Sequence, residues 1–154
     1  MSQVPQADYA DRDDVYRRLR QTGAAGWGGR DQYVAMLEHV GPWLAPDLEG
    51  AAVLELGSGA GDLSLLLAQR GARVHGVDIS RTAVDWARQK ARQRGLSHRA
   101  TFAVDGVCAL ATLGDGAFDL VVDGHCLHGI VGDDRARALR ACHRVTKQGG
   151  SSSC

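Results

Sequence analysis

Val53-Leu54-Glu55-Leu56-Gly57-Ser58-Gly59-Ala60-Gly61-Asp62 is the stretch whose reading decides the fold. A short, mostly apolar run enters a glycine-rich turn, and Leu63, Leu66 and Leu67 follow at helical spacing. The segment therefore reads as a buried strand, a tight turn and the start of a helix. Glycines leave no side chain where a ligand must approach the backbone. A helix N-terminus adds free N–H groups and a partial positive charge. In open α/β sheets, ligands bind outside the carboxyl ends of the strands, where this turn sits.

The same alternation continues outward from the turn. Gly71 closes the first helix. Arg73–Asp78 reads as a second strand, and Ser80 as the cap of a helix carrying Ala83, Ala87 and Ala91 that ends near Gly95. Ala100–Val104 and Phe118–Val122 read as the third and fourth strands. Asp133 or Asp134 is expected to cap a further helix with Leu139 and Cys142 on one side. Strands that alternate with helices, with little polar alternation of their own, call for a mainly parallel sheet buried on both faces. Upstream, Met1 to about Glu49 reads as helical. Tyr33, Met36, Leu37 and Val40 mark one helix face with Asp31 at its start, and Val15 and Leu19 mark a shorter helix before it. A glycine-rich loop, Thr22 to Gly29, separates the two and holds Trp27.

Composition bounds the function. The chain has 154 residues, 44% hydrophobic and 23% charged, with 18 Lys+Arg against 18 Asp+Glu. That suits a globular domain and excludes collagen-like or disordered classes. Zero net charge gives no built-in attraction to nucleic acid or membrane. The Lys90, Arg92, Arg94, Arg99 cluster reads as a solvated helix face, since no aromatics interleave it. No apolar run reaches the ~18 residues of a membrane span, and the polar, acidic N-terminus is no leader peptide, so a cytoplasmic location is expected. The cysteines form no C-x-x-C pair and read as free thiols, and no metal site is expected.

The turn discriminates between ligands. A dinucleotide fingerprint needs G-x-G-x-x-G, but its third glycine position is Asp62. No Lys-Ser/Thr follows, which excludes a phosphate loop of the Walker type. The pattern Glu55-x-Gly57-x-Gly59-x-Gly61 resembles motif I of class I S-adenosylmethionine-dependent methyltransferases. Further segments resemble that family in order: Gly76-Val77-Asp78-Ile79-Ser80, Asp105-Gly106-Val107, Phe118-Asp119-Leu120-Val121-Val122-Asp123, and Arg144-Val145-Thr146-Lys147-Gln148-Gly149-Gly150. The spacing from Gly61 to Asp78 is also close to the ~20 residues typical of ribose-binding acids.

The resemblance implies a Rossmann-like three-layer sandwich with an N-terminal helical cap (1–49), a core (50–150) and a tail (151–154). It implies S-adenosylmethionine as cofactor and S-adenosylhomocysteine as product. Glu55, Gly57, Ser58, Gly59 and Gly61 would form the cofactor loop, with Glu55 toward the methionine portion. Asp78 would hold the ribose hydroxyls, with capping beside Ser80 as its other reading. Ile79 would pack on the adenine, Asp105 and Gly106 would meet its edge, and Asp123, at the end of the fourth strand, would also belong to the cofactor-binding set. His125 and His128, grouped with Cys126, are candidates for acceptor contact or a general base. Trp27 and Tyr33 read either as a lid or as core packing. The implied reaction is in-line methyl transfer to an unidentified, small-molecule acceptor.

The resemblance runs from Ala51 to Gly150, and no apolar strand follows. Strands in the order 3-2-1-4 are expected, with 5-7-6 missing, as in a chain truncated after the fourth strand and its helix. Strand four would then be an open edge suited to self-association. A cofactor-binding fragment without turnover is the alternative function, and a nicotinamide oxidoreductase is a more distant one.

Overall fold

The computed structural model describes residues 11–28, 30–40, 48–124 and 126–153. Its elements are α1 (Asp11–Gln21), α2 (Arg30–Val40), β1 (Ala52–Leu56), α3 (Asp62–Gln69), β2 (Arg73–Asp78), α4 (Arg81–Gln93), β3 (Ala100–Val104), β4 (Phe118–Asp123), a 3-10 turn (Leu127–Gly129), α5 (Asp133–Val145) and β5 (Thr146–Ser153). The strands form one sheet in the order β3-β2-β1-β4-β5, and every pairing is parallel.

Both faces of the sheet are buried, as its apolar strands require. On one face Val53, Val74, Phe102, Leu120 and Val122 pack with the apolar sides of α3 and α4. On the other, Leu54, Leu56, Val77 and Val121 pack with Ala138, Ala141, Cys142 and Val145 of α5. The three-layer expectation therefore holds. Ser80 caps α4, its Oγ accepting the Ala83 N–H at 3.0 Å. Gly71 follows the end of α3 with φ +98°. The two upstream helices pack on this core, α1 against α4 and α2 against α3.

Four expectations need correction. First, the sheet does not stop at the fourth strand. Thr146–Ser153 pairs with β4, so β4 is an inner strand and offers no edge for self-association. The pairing runs Phe118↔Thr146, then resumes at Leu120↔Ser151. The Lys147–Gly150 turn is a bulge in this strand, with Gly149 at φ +81°. Backbone pairing holds this Ser-rich segment, so no apolar signature announces it. Second, no helix links β3 to β4. Arg144 of α5 instead gathers that connection, donating to the carbonyls of Leu110 (2.9 Å) and Leu113 (2.8 Å). Third, Gly132 rather than an aspartate occupies the α5 N-cap, and Leu139 is exposed. Asp31 likewise lies inside the first turn of α2. Fourth, Lys90 is no solvated residue. It is 8% exposed and pairs with Asp62 at 3.0 Å.

Candidate functional site

A cavity of about 520 Å³ opens at the carboxyl ends of β1, β2, β3 and β4. Of the site residues read from the sequence, Gly57, Asp78, Ile79, Gly106 and His128 line it. Trp27 and Tyr33 line it as well, so the loop and α2 form part of its wall. His125 lies outside the described residues.

Asp78 ends β2 and is 7% exposed. Its Oδ2 accepts the Gly59 N–H at 2.9 Å, and its Oδ1 accepts the Ser80 N–H at 2.8 Å. The carboxylate thus pins the glycine turn to the start of α4 while facing the cavity. Each oxygen has a second lone pair, so two further donors can be accepted. Burial holds its pKa above the ordinary carboxylate value, against the pull of the two N–H groups and of Arg12. Ile79, next in sequence, is an exposed apolar side chain at the rim.

The three loop glycines divide their work. Gly57 lines the cavity, and a Cβ there would strike the Cβ of Cys126. Gly59 has φ +52°, and a Cβ would lie 2.5 Å from the Tyr16 hydroxyl. Gly61 faces the core, where a Cβ would lie 2.9 Å from Ala87 Cβ and 3.0 Å from Phe102 Cζ. Ser58 is buried against Gly76, its Oγ without a hydrogen-bond partner among the described residues.

Three expected carboxylates stand behind the wall. Glu55 is 1% exposed and hydrogen-bonded to the Ser64 hydroxyl of α3. Burial pushes its pKa up to about 8, with the Ser64 hydrogen bond opposing, so it is largely protonated at neutral pH. Asp105 accepts the Gly106 N–H at 2.8 Å and the Thr112 N–H at 3.0 Å, and so shapes the loop while Gly106 alone lines the cavity. Asp123 accepts the Cys126 N–H at 2.7 Å and the Leu127 N–H at 3.2 Å, which turns the chain after β4 toward the cavity.

Arg12, Tyr16 and Gln32, which come from the two upstream helices, also line the cavity, and no local pattern announces them. Arg12 and Tyr16 are four residues apart on α1, on one helix face, but nothing local says that this face covers a ligand cavity. The Tyr16 ring packs on Trp27 at 5.7 Å between centroids, and the Arg12 guanidinium lies 5.7 Å from the Trp27 ring centre. Cys108 and Cys126 add thiols to the wall, and burial raises the pKa of both, that of Cys126 to about 12. They are therefore neutral lining rather than nucleophiles. Among the described residues, no group of three His, Cys, Asp or Glu side chains is placed to hold a metal ion.

Comparisons with known proteins agree with this geometry. The methyltransferase-domain family profile matches residues 53–150, well over half of the chain. A ubiquinone biosynthesis O-methyltransferase of Pseudomonas aeruginosa is 31% identical over 158 residues, covering 97% of this chain. A magnesium-protoporphyrin O-methyltransferase of Synechocystis is 36% identical over 115 residues, covering 71% of this chain and 48% of its own. Among solved structures, phosphoethanolamine N-methyltransferase 2 of Haemonchus contortus, in complex with phosphomonomethylethanolamine and S-adenosylhomocysteine, superposes with a TM-score of 0.74. It is 26% identical, over 94% of this chain and 34% of its own. The chain spans 62% of the length of the Pseudomonas relative. On the motif order, the sheet and these matches, the chain belongs to the methyltransferase-domain family, whose cofactor is S-adenosylmethionine.

Proposed function

We propose that the cavity binds S-adenosylmethionine and that the chain directs methyl transfer to an oxygen of a small-molecule acceptor. The observation that carries the cofactor half is Asp78. It is a buried carboxylate, fixed by two backbone N–H groups, with spare lone pairs facing a cavity beside Gly57. A vicinal diol is the natural partner for such a group. The relatives named as O-methyltransferases support the acceptor half.

The bound cofactor supplies a methyl group already activated on a sulfonium sulfur. The residues of this chain then have three tasks. Asp78 fixes the ribose end. Gly57, lacking a side chain, lets the strand end approach the ligand. Trp27, Tyr33 and Ile130 exclude water from the reacting end and help orient the two reactants, which is where most of the rate gain arises. His128, on the wall after β4, is the described imidazole placed to take a proton from an acceptor hydroxyl.

Calorimetric titration with S-adenosylhomocysteine tests the reading. Asp78→Ala should weaken binding by about tenfold or more, since a hydrogen bond to a charged group is worth ~1.5–3 kcal/mol. Gly59→Val should do so by displacing the Tyr16 hydroxyl. Normal binding by both variants would overturn the site. Binding without methyl transfer across an acceptor panel would support the non-catalytic alternative.

A further inference from the structure

We propose that Lys90 is a positioning residue: from behind the cavity wall it seats the Trp27 loop on the glycine turn, and so sets how tightly the cavity closes over its ligand. This role rests on the cofactor reading above. It falls to a buried cation that lines no part of the cavity.

The loop between α1 and α2 has little else to hold it. Its first three amides close the end of α1, where Thr22, Gly23 and Ala24 donate to the carbonyls of Arg18, Arg20 and Leu19. Ala25-Gly26-Trp27-Gly28 follows, with one large side chain. Trp27 is 47% exposed and lines the cavity. Ring contacts with Tyr16 and Arg12 orient its indole without fixing the backbone that carries it. The Lys90 ammonium donates to the Ala25 carbonyl. Among the described residues, no other side-chain hydrogen bond reaches residues 25–27.

The same ammonium meets both oxygens of Asp62, at 3.0 and 3.2 Å. Asp62 directly follows Gly61 and opens α3. One cation thus joins the loop to the first helical residue after the glycine turn. A compact ammonium donates in several directions from one point, which acceptors on two separate segments require. Charge assistance strengthens each of these hydrogen bonds.

Packing repeats the link. A Cβ on Gly26 would lie 2.5 Å from Asp62 Oδ2 and 3.7 Å from the Cβ of Ala60, a residue of the turn. Gly26 has no left-handed φ, so this contact alone demands glycine there. The loop and the turn are therefore held as one body, and each gives the cavity a lining residue, Trp27 and Gly57. Without Lys90 the loop has few contacts to resist local opening, and Trp27 leaves the wall with it.

A doubly substituted chain separates this role from the fold. Lys90→Met with Asp62→Asn leaves no stranded charge, but it takes the donor from the Ala25 carbonyl. Urea unfolding checks that this chain is folded. With 5-fluorotryptophan incorporated, and Trp27→Phe to assign the signal, its Trp27 fluorine resonance should move toward that of the free amino acid. S-adenosylhomocysteine should be released about tenfold faster, as stopped-flow displacement would measure. Gly26→Ala keeps both charges and should act in the same direction by lifting the loop off Asp62, so it serves if the double variant does not fold. Arg92→Gln removes an exposed cation from the same helix and should change neither readout. An unmoved Trp27 resonance, or an unchanged release rate, in the folded variant would overturn the role. If the wild-type chain does not bind S-adenosylhomocysteine, the cofactor reading fails, and the Trp27 resonance still decides whether Lys90 seats the loop.

Discussion

Glu55 shows how a single residue in a family motif takes a role its sequence position does not reveal. The motif places an acid two residues before Gly57, and the structure buries it completely behind the turn, against Ser64. Removing a carboxylate from water disfavours its charged form, so the folded chain holds a proton that the unfolded chain releases above about pH 4.5. The sign follows directly. Between that value and about 8, the folded state binds more protons than the unfolded state, so stability falls as pH rises and levels off beyond. Glu55→Gln keeps a partner for Ser64 and removes the ionisation. Its melting temperature should gain on wild type steadily from pH 5 to pH 9, as scanning calorimetry at both limits would measure. A difference independent of pH would mean that Glu55 is not the titrating group. Asp78 contrasts with it, since two N–H groups and an open cavity leave it able to serve a ligand. Carboxylates from two motifs around the same turn are thus separated by what surrounds them, which spacing alone does not encode.

At the level of elements, the buried pair of Lys90 and Asp62 ties three segments together. Asp62 opens α3, Lys90 lies on α4, and the Lys90 ammonium also donates to the Ala25 carbonyl of the loop that carries Trp27. The Lys90 ammonium also lies over the Trp86 ring, 4.9 Å from its centre. In the sequence, Lys90 stands among arginines and looks solvated, because its partner is distant in the chain and adjacent only in the fold. The same pair explains why the position after Gly61 tolerates an aspartate where a dinucleotide loop would have glycine spacing. Breaking one side of such a pair leaves an uncompensated buried charge and costs ~3–5 kcal/mol. Lys90→Met should therefore lower stability by about that amount in urea unfolding. Adding Asp62→Asn should recover most of the loss, since the stranded charge is gone. If Lys90→Met alone is neutral, the pair does not hold α3, α4 and the loop together. The strands and capped helices around it were legible because each depends on local pattern: Ser80, Gly71 and the apolar runs all fall where the periodicity puts them.

For the whole molecule, what the sequence hid is what pairs at long range. The wall supplied by α1 and the fifth strand both depend on contacts that no local window contains. Thr146–Ser153 has no β-branched run, yet it lies along β4 because α5 delivers it there. The Thr146 hydroxyl closes the helix by donating to the Cys142 carbonyl at 2.7 Å, and the chain enters the sheet at once. Lys147 then reaches Asp119 at 2.9 Å, and that carboxylate also accepts the β1 N–H of Ala52 at 2.8 Å. Strand five is thereby linked through β4 to the strand that carries the cofactor turn. Its main service is to cover the backbone beside Leu120, Val121 and Val122, which pair with Ser151, Ser152 and Ser153. An uncovered apolar strand in that position is a template for edge-to-edge association. Deleting residues 151–154 should therefore move the protein from its wild-type elution position to larger species in size-exclusion chromatography, with increased light scattering on warming. Replacing residues 151–153 by threonines should not, because the coverage comes from backbone pairing and threonine favours strands. If the deleted chain elutes and melts as wild type does, strand five contributes nothing to the sheet. If the threonine variant aggregates too, the coverage depends on the small serine side chains rather than on the ladder.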